Sequence, residues 1–497
     1  MPSNESEPLM NTLHFRNARF LGNDDRFDVL IDSGQVTDIV PAGAVQRMGT
    51  ETLDLDGRIL TPGLWDEHVH FTQWTIQQSR LDLSGTHDAN DVLARVRHAL
   101  LTHRAGSILT GYGFRDGTWP AAPTLRALDD ATGAVPVVLI SGDLHCAWIN
   151  SAAAALLGTR PDDSGIISEH EWFEVGQRVV TPPTTRMFRE AAAAAARRGV
   201  VGIVDFEVTD NIAEWPERVA AGVDSLRVEA SVWPERLDAA IARGLRTGQP
   251  IDPSGLVTMG RLKVVVDGSL NTRTALCWDP YPGLDAHATH GCGVASVSPD
   301  VLRELLQRSH HGGIGAAVHA IGDRANSEVI DVFEELGIDG VIEHAQLVRK
   351  EDFARFAQVG LVASVQPEHA MDDRDVADRH WAGRTARAFA FGSLYEAGAT
   401  LRFGSDAPVA PLDPWFAIAA ATSRSRDERT PWHPEQRVPL SVALESSMRG
   451  RSQVQIGDVA DIAILDADPH TVTSAQLHDL PVAATLLGGR FTHNTLS

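Results

Sequence analysis

The chain has 497 residues, 43% apolar and 22% charged, ordinary values for a soluble globular protein large enough for one barrel plus satellite elements. Its 66 Asp and Glu outweigh 43 Lys and Arg, for a formal net charge of −23. That excess of carboxylates excludes a nucleic-acid partner and an anionic membrane surface, and no run approaches the ~18 apolar residues of a membrane helix.

The stretch Met1 to Thr12 is polar and acidic, unlike a signal peptide. Cys146, Cys277 and Cys292 form no CxxC pair and fit free thiols in a reducing compartment. The expected location is cytoplasmic. Phe15 to Phe20, Val29 to Ile31, Val36 to Val40 and Leu53 to Leu55 are short strand-like runs, separated by turns such as Asp32-Ser33-Gly34. The same style returns in Gly457 to Asp466 and Thr485 to Phe491. Residues 1–62 and 450–497 are therefore expected to form one small β-sandwich domain from both ends of the chain.

Residues 63–449 carry eight apolar strand candidates: Leu64–His70, Val200–Phe206, Leu226–Trp233, Leu262–Asp267, Ile314–His319, Val341–His344, Leu361–Gln366 and Thr400–Asp406. Helix-patterned stretches follow most of them. One starts at Ser298-Pro299-Asp300, with a capping Ser and a first-turn Pro; others are Asp323–Leu336 and Glu351–Gln358. Strand then helix, repeated, predicts the α/β class and a (β/α)8, TIM-like barrel. The gap from His70 to Val200 is too long for one crossover. Residues 81–180 are expected to be an inserted α/β subdomain, with strands at Ile108–Gly113 and Val137–Ser141. Ala191–Ala196 reads as helix, and 270–297 as a long loop after the fourth strand.

Lys263 stands out, because only it and Lys350 are lysine and the other 41 basic residues are arginine. It lies inside Arg261-Leu262-Lys263-Val264-Val265-Val266, a buried-strand pattern. A buried lysine loses its proton readily and an arginine does not. A neutral amine can add CO2 to give a carbamate able to bridge two metal ions. The alternative is a lysine paired with a neighbouring acid such as Asp267.

Histidines and one aspartate fall on the other strand ends. His68 and His70, two apart, share a strand face. His319 ends the fifth strand, His344 the sixth and Asp406 the eighth. Each has a plainer reading: a hydrogen-bonded structural histidine, or for Asp406 a helix cap or turn former. Their co-occurrence with Lys263 at strand ends favours a site for Zn2+ or a similar divalent metal.

This constellation resembles the amidohydrolase superfamily, and more narrowly its YtcJ-like branch (amidohydrolase family 3), which includes N-substituted formamide deformylases. The resemblance rests on Leu60-Thr61-Pro62-Gly63 leading to Asp66-Glu67-His68-Val69-His70, on Asp143 to Ser151, and on Lys263 to Ala275. Val318 to Ala325, Glu343-His344-Ala345, Gly404-Ser405-Asp406 and Ile456 to Asp461 complete it. Asn271 stands where the branch usually has Gly, and Trp65 where a smaller apolar residue is common. The resemblance implies two divalent ions, most simply zinc. His68, His70 and Asp406 would hold one, His319 and His344 the other, and carboxylated Lys263 (N6-carboxylysine) would bridge them. Asp406 would act as general base then acid, and His145 would polarise the substrate carbonyl.

The expected activity is cleavage of an amide-type C–N bond in a small molecule, such as an N-substituted formamide or N-acyl amine. Trp65, Trp74, Trp148, Asn271 and Arg273 are candidates for contacting the substrate, with ordinary packing as the alternative for the tryptophans. Arg273 and Arg115 are the candidates for holding an anionic substrate. A homo-oligomer, a dimer, is expected. The alternatives are a mononuclear deaminase-like or cyclic-amide hydrolase with Lys263 as a free amine, and a non-catalytic relative, which the full ligand set disfavours.

Overall fold

In the first unit of this computed structural model, Met1–Phe71 with Arg189–Ser497, eight parallel strands neighbour one another in chain order. They are β1 (Leu64–Val69), β2 (Val200–Asp205), β3 (Arg227–Val232), β4 (Val257–Val265), β5 (Ala316–Ala320), β6 (Gly340–His344), β7 (Leu361–Val365) and β8 (Thr400–Phe403). The structure describes residues 12–44, 51–103, 106–114, 116, 119–141, 146–176, 182–285, 290–426 and 429–496. The strands are nearly continuous apolar runs because helices cover the sheet; β2 is buried along its whole length. The first and last strands meet at a seam. Asp406 N–H donates to His68 O at 2.7 Å, and His70 N–H to Ala407 O at 2.8 Å. Eight parallel strands closed in this way are the predicted barrel.

The predicted caps hold the helices. The Ser298 hydroxyl accepts from Val301 N–H, and Pro299 opens the helix Pro299–His311. The helix Asp323–Leu336 ends at Gly337, whose φ of +63° stops it. The expected helix Glu351–Gln358 begins instead as a 3-10 turn, Lys350–Asp352, before Phe353–Val359.

Both ends of the chain supply two four-stranded sheets, Leu13–Ala18, Phe27–Asp32, Gln35–Pro41 and Glu51–Asp54 in one, Ile59–Pro62, Ile462–Leu465, Val482–Leu487 and Arg490–Asn494 in the other. Phe15, Val29, Ile31, Ile462, Ile464 and Leu486 share one buried core between them, so the arrangement is a sandwich. The run Thr485–Phe491, read as one strand, is the turn region of a hairpin. Gly488 and Gly489 take φ of +55° and +79° and reverse the chain between paired strands.

The second unit, Thr72–Phe188, is the expected inserted α/β element. Its five-stranded sheet runs in the order Ile166–Ser168, Cys146–Ile149, Val137–Ser141, Leu109–Phe114, Leu81–Asp82. Trp148 is wholly buried in this unit's own core and Trp74 is buried as well. The Trp148 ring lies edge-on to Trp119 at 6.2 Å, so packing accounts for it.

Candidate metal centre

The side chains predicted as ligands converge at the C-terminal ends of the barrel strands. His68 is held by its Nδ1, 2.6 Å from Glu343 Oε2. That contact leaves Nε2 facing inward, 3.5 Å from Asp406 Oδ1 and 3.3 Å from Lys263 Nζ. His344 repeats the device, with Nδ1 2.8 Å from Gln366 Oε1. A partner on one ring nitrogen fixes the tautomer and orients the other as a ligand. His70 Nε2 lies 3.3 Å from Asp406 Oδ1, and its buried Nδ1 has no hydrogen-bond partner among the described residues. The His319 ring centroid is 4.4 Å from that of His344, which is 4.9 Å from that of His68. Donor atoms of His68, His344 and Asp406 all lie within 4.8 Å of one another. Two imidazoles and a carboxylate, buried and already oriented, fit a divalent cation such as zinc.

Two of these residues sit in unusual backbone. His344 has φ +74° and Asp406 φ +56°. Such positions cost about 1–3 kcal/mol each in non-glycine residues and collect at functional sites.

The charges are arranged to leave lone pairs free. Burial, helped by the Lys263 charge, lowers His319 to about 3. Burial and the neighbouring imidazoles hold His344 well below its ordinary value. Both rings are therefore neutral. Burial lowers Lys263 to about 8, against the pull of Glu343 and Asp406. Burial works to raise the Asp406 carboxyl, but His68 and the His70 bond overcome it and hold it well below the carboxylate range. Lys263 Nζ also rests 4.1 Å from the centre of the Phe206 ring.

The alternative of a Lys263–Asp267 ion pair does not hold. Asp267 accepts from the backbone N–H groups of Leu276, Ile321 and Gly322 at 2.8, 3.0 and 2.8 Å. It pins the long loop after β4 to the end of β5, and it lies past the end of the strand that carries Lys263. Burial raises the Asp267 carboxyl to about 7 against those three donors.

The substrate candidates scatter. Asn271 lies on the exposed loop after β4, with Nδ2 donating to Asp373 Oδ1 at 3.1 Å; Arg273 is exposed on the same loop. Trp65 is not brought to the ligand layer. Its ring lies under Arg449, 3.4 Å from guanidinium carbon to ring centre. His145 and Arg115 lie outside the described residues.

Three residues escaped the sequence reading. Glu343 and Gln366 orient the ligands. His369, in Gln366-Pro367-Glu368-His369 just past β7, stacks on His344 at 6.3 Å and 15°. Its buried Nε2 has no hydrogen-bond partner among the described residues and is 3.9 Å from Asp406 Oδ2. A histidine next to a strand end was the available signal.

Comparison with known proteins agrees with this architecture. A family model described as an amidohydrolase family matches residues 51–493. The chain is 28% identical to the putative amidohydrolase YtcJ of Bacillus subtilis, covering 89% of this chain and 90% of that one. It is 24% identical to the N-substituted formamide deformylase of Arthrobacter pascens, covering 91% and 93%. Among solved structures, an uncharacterised metal-dependent hydrolase of Pyrococcus horikoshii superposes with a TM-score of 0.75 at 25% identity, covering 93% of this chain and 99% of that one.

Proposed function

We propose that this chain, which belongs to the amidohydrolase family, hydrolyses an amide-type C–N bond of a small molecule. The observation that carries this is the buried donor triangle of His68, His344 and Asp406, with Lys263 Nζ 3.3 Å from His68. His68, His70 and Asp406 would hold one divalent ion, most simply zinc. His319 and His344 would hold a second, and carboxylated Lys263 would join the two. When bound, such ions polarise a carbonyl and make water acidic enough to attack near neutral pH. The chain's own residues do the rest. Asp406, ionised and 3.3 Å from His70, takes the proton of the attacking water and returns it to the leaving nitrogen. Glu343 and Gln366 keep the histidine rings aimed. An N-substituted formamide or N-acyl amine with an apolar group is the substrate class; its support is the deformylase relative.

The donor triangle also favours a second reading, one ion on His68, His344 and Asp406 with Lys263 as a free amine. Elemental analysis of protein purified without chelator separates the two. Two ions per chain support the bridged centre, and one ion in fully active protein supports the other. A screen of N-formyl and N-acyl amines, reading amine release, tests the bond. Faster turnover of a phosphotriester or an aminopurine than of any amide overturns it.

A further inference from the structure

The turn Gln366-Pro367-Glu368-His369 serves the centre twice. Gln366 holds His344 by its side chain, and its carbonyl oxygen accepts the His369 N–H at 3.1 Å. That bond folds His369 back beside His344, with the ring planes 15° apart. The His369 side chain is only 6% exposed. Gln346 Nε2 lies 3.5 Å from its Nδ1, and an amide N–H donated there keeps the ring proton on Nε2. Nε2 is buried and has no hydrogen-bond partner among the described residues. A buried donor left unpaired costs about 1–3 kcal/mol, so this one is placed for an acceptor that arrives from outside the chain.

Asp406 indicates what that acceptor is. Its Oδ1 lies against His68 and His70, at 3.5 and 3.3 Å. Its Oδ2 is 3.9 Å from His369 Nε2. That is too long for a hydrogen bond, but it suits two groups that face neighbouring atoms of one ligand. An amide presents such neighbours, an accepting oxygen and a nitrogen on the same carbon. The donor triangle of His68, His344 and Asp406 closes without His369, so its free nitrogen is not spent on completing that triangle.

We propose that His369 is a substrate-contacting residue, whose Nε2–H donates to the carbonyl oxygen of the scissile amide while Asp406 serves its nitrogen. The assignment rests on the amide reading given above. The hydrogen bond strengthens as negative charge gathers on that oxygen during attack. The proton stays on Nε2 throughout, so the ring remains neutral and needs no acid or base partner. A fixed donor of this kind acts mainly on the transition state, and removing one costs ~10²–10³ in kcat.

The test uses the full-length protein, two variants and one probe, N-butylformamide. His369→Phe keeps a planar ring and loses the N–H; His369→Gln keeps a donor. On the metal-loaded enzyme, His369→Phe should lower kcat ~10²–10³-fold with KM changed less than threefold, and His369→Gln should recover at least tenfold of that loss. Elemental analysis should find the same metal content in both variants as in the unmodified protein. Crystals of metal-free, unmodified protein, soaked in the probe, should show its oxygen within ~3.2 Å of His369 Nε2; this measurement stands even if a variant fails to fold. Amide hydrolysis with kcat unchanged in His369→Phe overturns the contact and keeps the activity. A probe bound oxygen-first to Nε2 but never hydrolysed by the loaded enzyme overturns the activity and keeps the contact. Metal lost from folded His369→Phe, or the probe's oxygen placed elsewhere, overturns the proposal.

Discussion

The main-chain N–H of Asp406 donates to the carbonyl oxygen of His68 at 2.7 Å, so the barrel closes through the two residues whose side chains also meet at 3.5 Å. Closure of the sheet and geometry of the site are one event. The left-handed backbone of Asp406 is held there by the seam, and the seam places its carboxylate among the histidines.

Asp406→Asn keeps the volume but removes the base. We expect kcat to fall by more than the ~10²–10⁴ of lost proton transfer alone, because a ligand is also weakened. The pH–rate profile checks it. An active Asp406→Asn enzyme with an unchanged acidic limb removes Asp406 from this role.

Glu343→Gln tests the support behind His68. The amide is isosteric, but it can present its NH2 to Nδ1 and turn the tautomer. Metal affinity should fall ~10–100-fold, as for other residues that orient a ligand, with the melting temperature of the metal-free protein little changed. Competition with a chromogenic chelator measures it.

Lys263→Arg should abolish turnover, since a guanidinium forms no carbamate. Lys263→Ala should regain part of the activity with added short carboxylic acids that occupy the bridging place. Normal turnover of Lys263→Arg would exclude the carbamate.

Lys263 also sets a pH dependence in metal-free protein. Its pKa falls from 10.5 to about 8 on folding. Between those values the unfolded chain binds more protons than the folded one, so stability rises with pH across that window. Below about 8 both states are protonated and folding bears the full cost of the buried charge, roughly 3 kcal/mol from a shift of this size. Lys263→Met should be more stable than metal-free wild type at pH 7 and lose the slope between pH 8 and 10. Urea unfolding at three pH values reads both effects.

Asp267→Asn replaces an acceptor of three backbone N–H groups with a side chain that points an NH2 at one or two of them. The cost should be about 1–3 kcal/mol for each buried donor left unpaired, seen as a lower urea midpoint, with the loop after β4 becoming sensitive to protease first.

Much of this was legible in the sequence because buried parallel strands are written as apolar runs, in which a histidine, lysine or aspartate is conspicuous. His68, His70, Lys263, His319, His344 and Asp406 were visible for that reason. Asp267 was not, because its partners are main-chain groups from residues 276, 321 and 322, and no side-chain pattern encodes them. Trp65 misled by standing three positions before His68, but its ring packs under Arg449, a partner far away in sequence that no local pattern encodes. His369 lies in a short helix beyond β7, where neither strand nor helix periodicity marks it.

The pairing of Ile59–Pro62 with Ile462–Leu465 joins residues 402 positions apart, as the Thr61 hydroxyl bond to Ala463 O shows. On a ribosome moving at ~5–20 residues per second, the earlier strand waits ~20–80 s for its partner. Throughout that interval an unpaired apolar edge, Ile59 and Leu60 included, leads directly into the strand that carries His68. Synthesis thus leaves that edge without its sheet partner until the last strands of the chain are made.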